Sequence, residues 1–169
     1  MLDDPIKYGL LAALAIALLV AAFTDLKSRR ITNKLNLAIA LGAPLFWWAS
    51  GLSLWPDVAW QFGVALATFA VLSVLFAMKW MGGGDVKLLT ALALWIAPSL
   101  FAKLLIMMAL LGGVLTLVFG AFNVMSRRRR KSSEKAPISI PYGVAIALAG
   151  LWVIGTFYIP GNAIAGVAG

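Results

Sequence analysis

Two aspartates stand where an apolar chain can least accommodate them. Asp85 closes the glycines of Met81-Gly82-Gly83-Gly84-Asp85-Val86-Lys87, between two strongly apolar segments, and Asp25 ends another apolar segment. A carboxylate at membrane depth is costly, and irregular backbone there is tolerated only inside protein or beside a water-filled cavity. Three successive glycines each disfavour a helix by roughly 1 kcal/mol relative to Ala. The stretch therefore reads as a wet pocket at the edge of a bilayer with an acid in it. If Asp25 and Asp85 meet there, both cannot ionise cheaply, and they share a proton as a pair. One then serves as base toward a water while the other donates to a carbonyl, the chemistry of peptide hydrolysis.

The composition narrows the alternatives. The chain has no Cys and no His. Thiol catalysis, disulfides, Cys- or His-based zinc sites and a Ser-His-Asp triad are excluded. The remaining catalytic vocabulary is Asp, Glu, Lys, Ser, Thr and Tyr, and no cofactor or metal is expected. Of the six acids, Asp3 and Asp4 lie in the N-terminal tail, Asp57 in a short turn where it could cap the next helix, and Glu134 among arginines. Asp25 could instead offset Lys27, Arg29 and Arg30, and Asp85 could be a helix cap. A cap needs no glycine run, however, and glycine lets a backbone approach another helix or a substrate chain. Asn33 could hydrogen-bond within the site or cap a helix. The charge of Lys87 could favour an ionised Asp85. A Ser28/Lys27 dyad is disfavoured because adjacent residues rarely face one another.

The elements that must position these acids are apolar. The 169 residues are 63% hydrophobic and 12% charged, against about half apolar and a quarter charged in a soluble domain. The expected fold is all-α, one polytopic membrane domain over residues 1–169, a bundle of about six transmembrane helices of roughly 20 residues each. No soluble domain fits in what remains. Apolar segments run over residues 8–23, 35–50, 58–78, 86–97, 104–125 and 138–159. The fourth, ending before Pro98, is too short to cross a roughly 30 Å core unaided. Gly112, Gly113, Gly120 and a Gly63/Ala67 pair suit close helix packing. The seven tryptophans mostly fall near segment ends, as interfacial anchors do. No internal repeat is visible.

The net charge of +8 reports topology and anionic lipid rather than nucleic acid, since no aromatic-basic interleaving is present. The first connection carries Lys27, Arg29, Arg30 and Lys34, the third Lys79 and Lys87, and the fifth Arg127 to Lys131 with Lys135. The second carries no basic residue and the fourth carries Lys103 alone. The alternation puts connections one, three and five in the cytoplasm and both termini outside it. Asp25 and Asp85 then share the cytoplasmic face.

At these residues the sequence resembles the type IV prepilin peptidases, membrane aspartic proteases with a Gly-x-Gly-Asp motif, and most of all the small subgroup serving tight-adherence (Flp) pili. Gly82-Gly83-Gly84-Asp85 fills the motif, and Val86-Lys87-Leu88-Leu89 is a typical continuation of it. Ile31-Thr32-Asn33 stands after Asp25 where the family has Ile-Pro-Asn, with Thr32 replacing the proline. Ile140-Pro141-Tyr142-Gly143 matches the stretch opening the family's last helix. The resemblance implies an inner-membrane, multi-pass enzyme that removes the short basic leader of prepilins or pseudopilins at the cytoplasmic face, with Asp25 and Asp85 as catalytic pair. Gly82, Gly84, Lys87 and Asn33 are expected to support that site. Larger members carry a tetra-cysteine zinc domain and also N-methylate the new terminus. Without cysteine, this chain is expected to act as peptidase alone. Its partners would be prepilin leader and membrane lipid, with no nucleic acid. Oligomeric state and the choice between pilin and pseudopilin are not legible.

Two other readings stay open. A carboxylate pair can relay protons in a small transporter, and a glycine break suits a discontinuous helix. A non-catalytic component of a pilus or secretion assembly is the other.

Overall fold

A computed structural model describes residues 5–129 and 141–159. Six α-helices succeed one another, with no strand among the described residues: α1 (Pro5–Ser28), α2 (Asn33–Ala49), α3 (Ala59–Ala77), α4 (Gly83–Ala93), α5 (Pro98–Arg129) and α6 (Tyr142–Val153). Single π-helical turns at Leu54–Val58 and Ile154–Tyr158 extend α3 backward and α6 forward.

Local chemistry sets the boundaries. Pro5 and Pro98 open α1 and α5, where a missing N–H costs nothing. Thr32 caps α2, its hydroxyl accepting from Leu35 N–H at 3.3 Å, so the cap is Thr32 rather than Asn33. Helix α3 ends in a Schellman turn: Lys79 N–H reaches Phe76 O and Trp80 N–H reaches Leu75 O, both at 2.9 Å. The glycine run does not break the chain. Gly82 is the N-cap of α4, and Gly83 and Gly84 form its first turn. Asp85 is therefore inside the helix rather than at its cap position, and its N–H bonds Gly82 O at 3.1 Å. Asp57 does not cap α3 either. Its Oδ2 accepts from the N–H and hydroxyl of Ser53 across the preceding turn.

The apolar segments are longer or shorter than the hydropathy pattern predicts. Helix α1 continues through Ser28 and so includes Asp25. Helix α5 absorbs residues 98–103, expected to be a connection, and runs on to Arg129. Three helical stretches are long and apolar enough to cross a membrane: Pro5–Ser28, Leu54–Ala77 and Pro98–Ala121; Tyr142–Tyr158 is apolar but shorter. Six helices are present, of which α2 with 17 residues and α4 with 11 fall below that length. Asp3, Asp4, Glu134, the basic run from Arg130, Ile140 and the Gly/Ala-rich tail lie outside the described residues.

Helices α1, α2, α4 and α6 pack in a closed ring, with α3 against α4 and α5 against α6 on its flanks. Helix α4 is buried on nearly every side, through Val86, Leu88, Leu89, Ala91, Leu92 and Ala93. Only its first turns carry charge, Asp85 and the exposed Lys87, and a helix enclosed on most of its surface belongs in a core. That explains its length: α4 is enclosed by the other helices and need not reach either bilayer surface. The core continues through Leu14, Leu18, Trp95, Ile96, Leu104, Ile146 and Val153. The far end of α4 is held by indoles. Trp47 Nε1–H donates to Leu94 O and Trp95 Nε1–H to Ile39 O, both at 2.7 Å. Ala97 N–H donates to the Tyr158 hydroxyl at 3.0 Å. Trp47 and Trp95 thus act inside the bundle, while Trp48, Trp55, Trp60 and Trp80 are exposed as anchors would be. A side chain at Gly63, Gly113 or Gly120 would meet nothing, so the Gly63/Ala67 pair is not a packing seam among the described residues.

Candidate active site

The C-terminal ends of α1 and α3 and the first turns of α4 and α6 converge at one end of the ring, and each contributes to one polar cluster. Asp25 lies in the last turn of α1 and is 6% exposed. Its Oδ2 accepts from Gly143 N–H at 2.8 Å, and Val144 N–H points at the same carboxylate. Both N–H groups belong to the first turn of α6, where donors are free of the regular i−4 helical bond, although Val144 N–H also reaches Pro141 O at 3.2 Å. The local sequence dictates this arrangement. A Cβ on Gly143 would stand 2.8 Å from Asp25 Oδ2 and 2.9 Å from both Asp25 Cγ and Ile31 Cδ1. Any larger residue at position 143 would push α6 away from the acid.

Asp85 stands in the first turn of α4, a helix too short to span. Its carboxylate reaches back to Gly82 N–H, the reciprocal half of a capping box. Its carboxyl is raised from 3.8 to about 6. Burial is the larger cause, the negative charge of Asp25 the second, and the Gly82 N–H opposes both. The two acids are therefore close enough to feel each other.

They also open onto the same space. A cavity of about 690 Å³ is lined by Asp25, Arg29, Phe76, Lys79, Trp80, Met81, Gly82, Asp85 and Tyr142, among others. A second, of about 440 Å³, shares both acids, Arg29 and Gly82 with the first and is also lined by Arg30, Ile31, Thr32, Asn33, Gly83 and Gly84. Both acids line both cavities, so each has open space beside it. One wall is cationic: Arg29 directly follows α1 and Lys79 follows the Met78 cap of α3, both in left-handed backbone, with φ of 54° and 60°. Non-glycine residues avoid that region at about 1 kcal/mol or more, a strain that collects at functional sites.

The remaining predicted residues sit just behind. Gly84 lets α4 lie against the α1–α2 connection, for a Cβ there would come within 3.2 Å of Ile31 Cβ. Lys87 Nζ donates to Asn33 Oδ1 at 2.9 Å, tying α4 to the start of α2. The ammonium is thus directed at Asn33, and it is not among the influences on Asp85. Ser28 donates to Thr24 O at 2.8 Å, within its own helix. Sequence reasoning missed Asn36, buried in α2 with Nδ2 donating to Gly84 O at 3.3 Å. An Asn three residues after Asn33 on a helix shares its face, and that spacing is the signal that could have found it. It also assigned no role to Gly143. Among the described residues no three acids, His or Cys cluster as metal ligands.

Comparison with known proteins places this geometry in context. The type IV leader peptidase family matches residues 12–122. The chain is 29% identical over 158 aligned positions to a prepilin leader peptidase/N-methyltransferase of Aeromonas salmonicida strain A449, covering 86% of this chain and 49% of that protein. A second protein of the same description from Aeromonas salmonicida matches equally. The chain spans about half the length of these curated relatives. No solved structure matches it.

Proposed function

Since this chain belongs to the type IV leader peptidase family, we propose that it is a membrane-embedded aspartic endopeptidase, with Asp25 and Asp85 as its catalytic pair, that cleaves the leader from prepilins or pseudopilins. The observation that carries the reading is the pair itself: two acids distant in sequence, on α1 and α4, opening onto the same two cavities. The peptide would lie across those cavities, its scissile carbonyl over the acids. A water held between the carboxyls would attack it, one acid taking the water's proton and the other donating to the carbonyl oxygen. Arg29, Arg30, Lys27 and Lys79 at this end suit the cytoplasmic side of the inner membrane under the positive-inside rule, with both termini across it. We carry over only the peptidase half of the relatives' name, and within the family we favour the tight-adherence pilus subgroup.

Co-expression with a prepilin, with its leader tracked by gel shift, tests the reading. Asp25→Asn and Asp85→Asn should each lower cleavage at least about 100-fold, the scale of a lost acid or base, while both proteins still insert in the membrane. Cleavage at the normal rate by either variant would remove the pair from the mechanism.

A further inference from the structure

The two acids are held by different devices, and this asymmetry assigns their roles. Asp25 is met by the first turn of a helix. Gly143 N–H bonds Oδ2 at 2.8 Å, Val144 N–H points at the same group, and Arg29, just past the end of α1, adds its charge. The amino end of a 12-residue helix favours a negative group through its first-turn N–H groups, here chiefly that of Gly143, and its dipole. Asp85 has a single backbone donor, Gly82 N–H, from its own helix's cap. The cation nearest in sequence, Lys87, is directed at Asn33. Arg29 and Lys79 line the larger cavity and Arg30 the smaller, while Tyr142 is the remaining titratable wall.

We infer that Asp25 is the general base and Asp85 the general acid of the pair, and that Gly143 is a positioning residue which presents the α6 amino end to the base. The inference rests on the proposed peptidase reading for its chemistry. In the step it describes, the Asp25 carboxylate takes a proton from water as the water oxygen bonds the scissile carbonyl carbon. Asp85 gives its proton to the carbonyl oxygen, leaving a neutral gem-diol. Asp25 then returns its proton to the amide nitrogen, and the C–N bond breaks. A hydroxyl of the gem-diol gives its proton back to Asp85 as the new carboxyl forms. One water is consumed and both acids end as they began.

The roles can be read without substrate. An aryl epoxide such as 1,2-epoxy-3-(4-nitrophenoxy)propane esterifies ionised carboxylates, whereas a diazoacetyl ester with Cu(II) esterifies protonated ones. The full chain in detergent would be treated with each across about pH 4 to 6, up to the value for Asp85, and adducts mapped by mass spectrometry. The expected result is epoxide on Asp25 and diazo reagent on Asp85. The reverse pattern, or the same distribution with both reagents, would overturn the assignment. So would no adduct on either acid, since a base must be open to water. Gly143→Ala should reduce epoxide labelling of Asp25 about tenfold, the effect of spoiling one bond to a charged acceptor, and change diazo labelling of Asp85 by less, since Asp85 feels the change only through the charge of Asp25. An equal fall at both acids would make Gly143 merely structural. Should Gly143→Ala fail to fold, the labelling of the unaltered chain still decides the roles. A protein that labels as expected yet cleaves no prepilin would sink the proposed function and leave the charge assignment standing.

Discussion

Asp85 is the residue at which burial and ionisation pull in opposite directions. Held at about 6 instead of 3.8, its carboxyl favours the neutral form by roughly 3 kcal/mol. Between those two values the folded protein binds more protons than the unfolded chain. The stabilisation is full below about 3.8 and is lost as pH rises through about 6. Thermal unfolding in detergent should therefore show stability falling across that window, and Asp85→Asn should flatten the fall and raise stability at neutral pH. An Asp85→Asn protein with an unchanged pH profile would contradict this. Lys79 offers a second residue-level test. Its left-handed backbone is what glycine adopts freely, so Lys79→Gly should stabilise the fold by about 1 kcal/mol, read as a higher unfolding temperature. The same change removes a cation from the cavity wall. Both acids were legible in the sequence because an acid at the end of an apolar run demands a reason. The role of Gly143 was not, although the stretch containing it was, because it meets Asp25 through a backbone N–H and through the volume it leaves empty, and neither is written in a residue type.

The helices were easier to count than to bound. Apolar runs located all six, but where each one stops depends on what it packs against. Helix α4 shows the difference. Three glycines argue against a helix in isolation, yet Gly83 and Gly84 start one because Gly82 caps it and Asp85 closes the cap from within. Close packing of Gly84 on Ile31 then offsets the poor propensity. The short length of α4 raised the correct question from sequence, and enclosure by neighbouring helices is the answer. The tryptophans illustrate the opposite failure. A Trp near a helix end signals an interfacial anchor, but Trp47 and Trp95 use their indole N–H groups to satisfy carbonyls around the end of α4. Replacing Trp47 by Phe keeps the ring and removes the donor to Leu94 O, which should cost about 1 kcal/mol. Cleavage at the opposite end of α4 should persist, since no acid or cavity residue is altered. Unfolding temperature and leader cleavage measured on one preparation would separate the two effects.

At the scale of the whole molecule, the ring of α1, α2, α4 and α6 concentrates polarity at one end and leaves the flanks apolar. In the long spans of α3 and α5, 11% of each apolar window is buried inside the protein, and Phe69, Val74, Ile106, Leu110 and Leu117 are exposed. Such surfaces require lipid. A bilayer normal along the bundle then puts the ends of α1 and α3 on the same side as the acids. The start of α5 lies at the other side, because α4 runs away from Asp85 toward Pro98. The natural absence of cysteine makes this directly measurable. Single cysteines at Ser28, Lys79 and Ser99, all exposed, can be reacted in intact cells with a membrane-impermeant maleimide, then again after the membrane is opened. Positions 28 and 79 should behave alike, protected until the cytoplasm is exposed, whereas position 99 should react from outside. If 28 and 79 reacted from opposite sides, Asp25 and Asp85 could not share a cavity in the membrane. If all three reacted alike, the chain would not cross between α3 and α5. Reaction of 28 and 79 together from outside would keep the shared cavity and reverse the orientation, so that a leader peptide in the cytoplasm could not reach it.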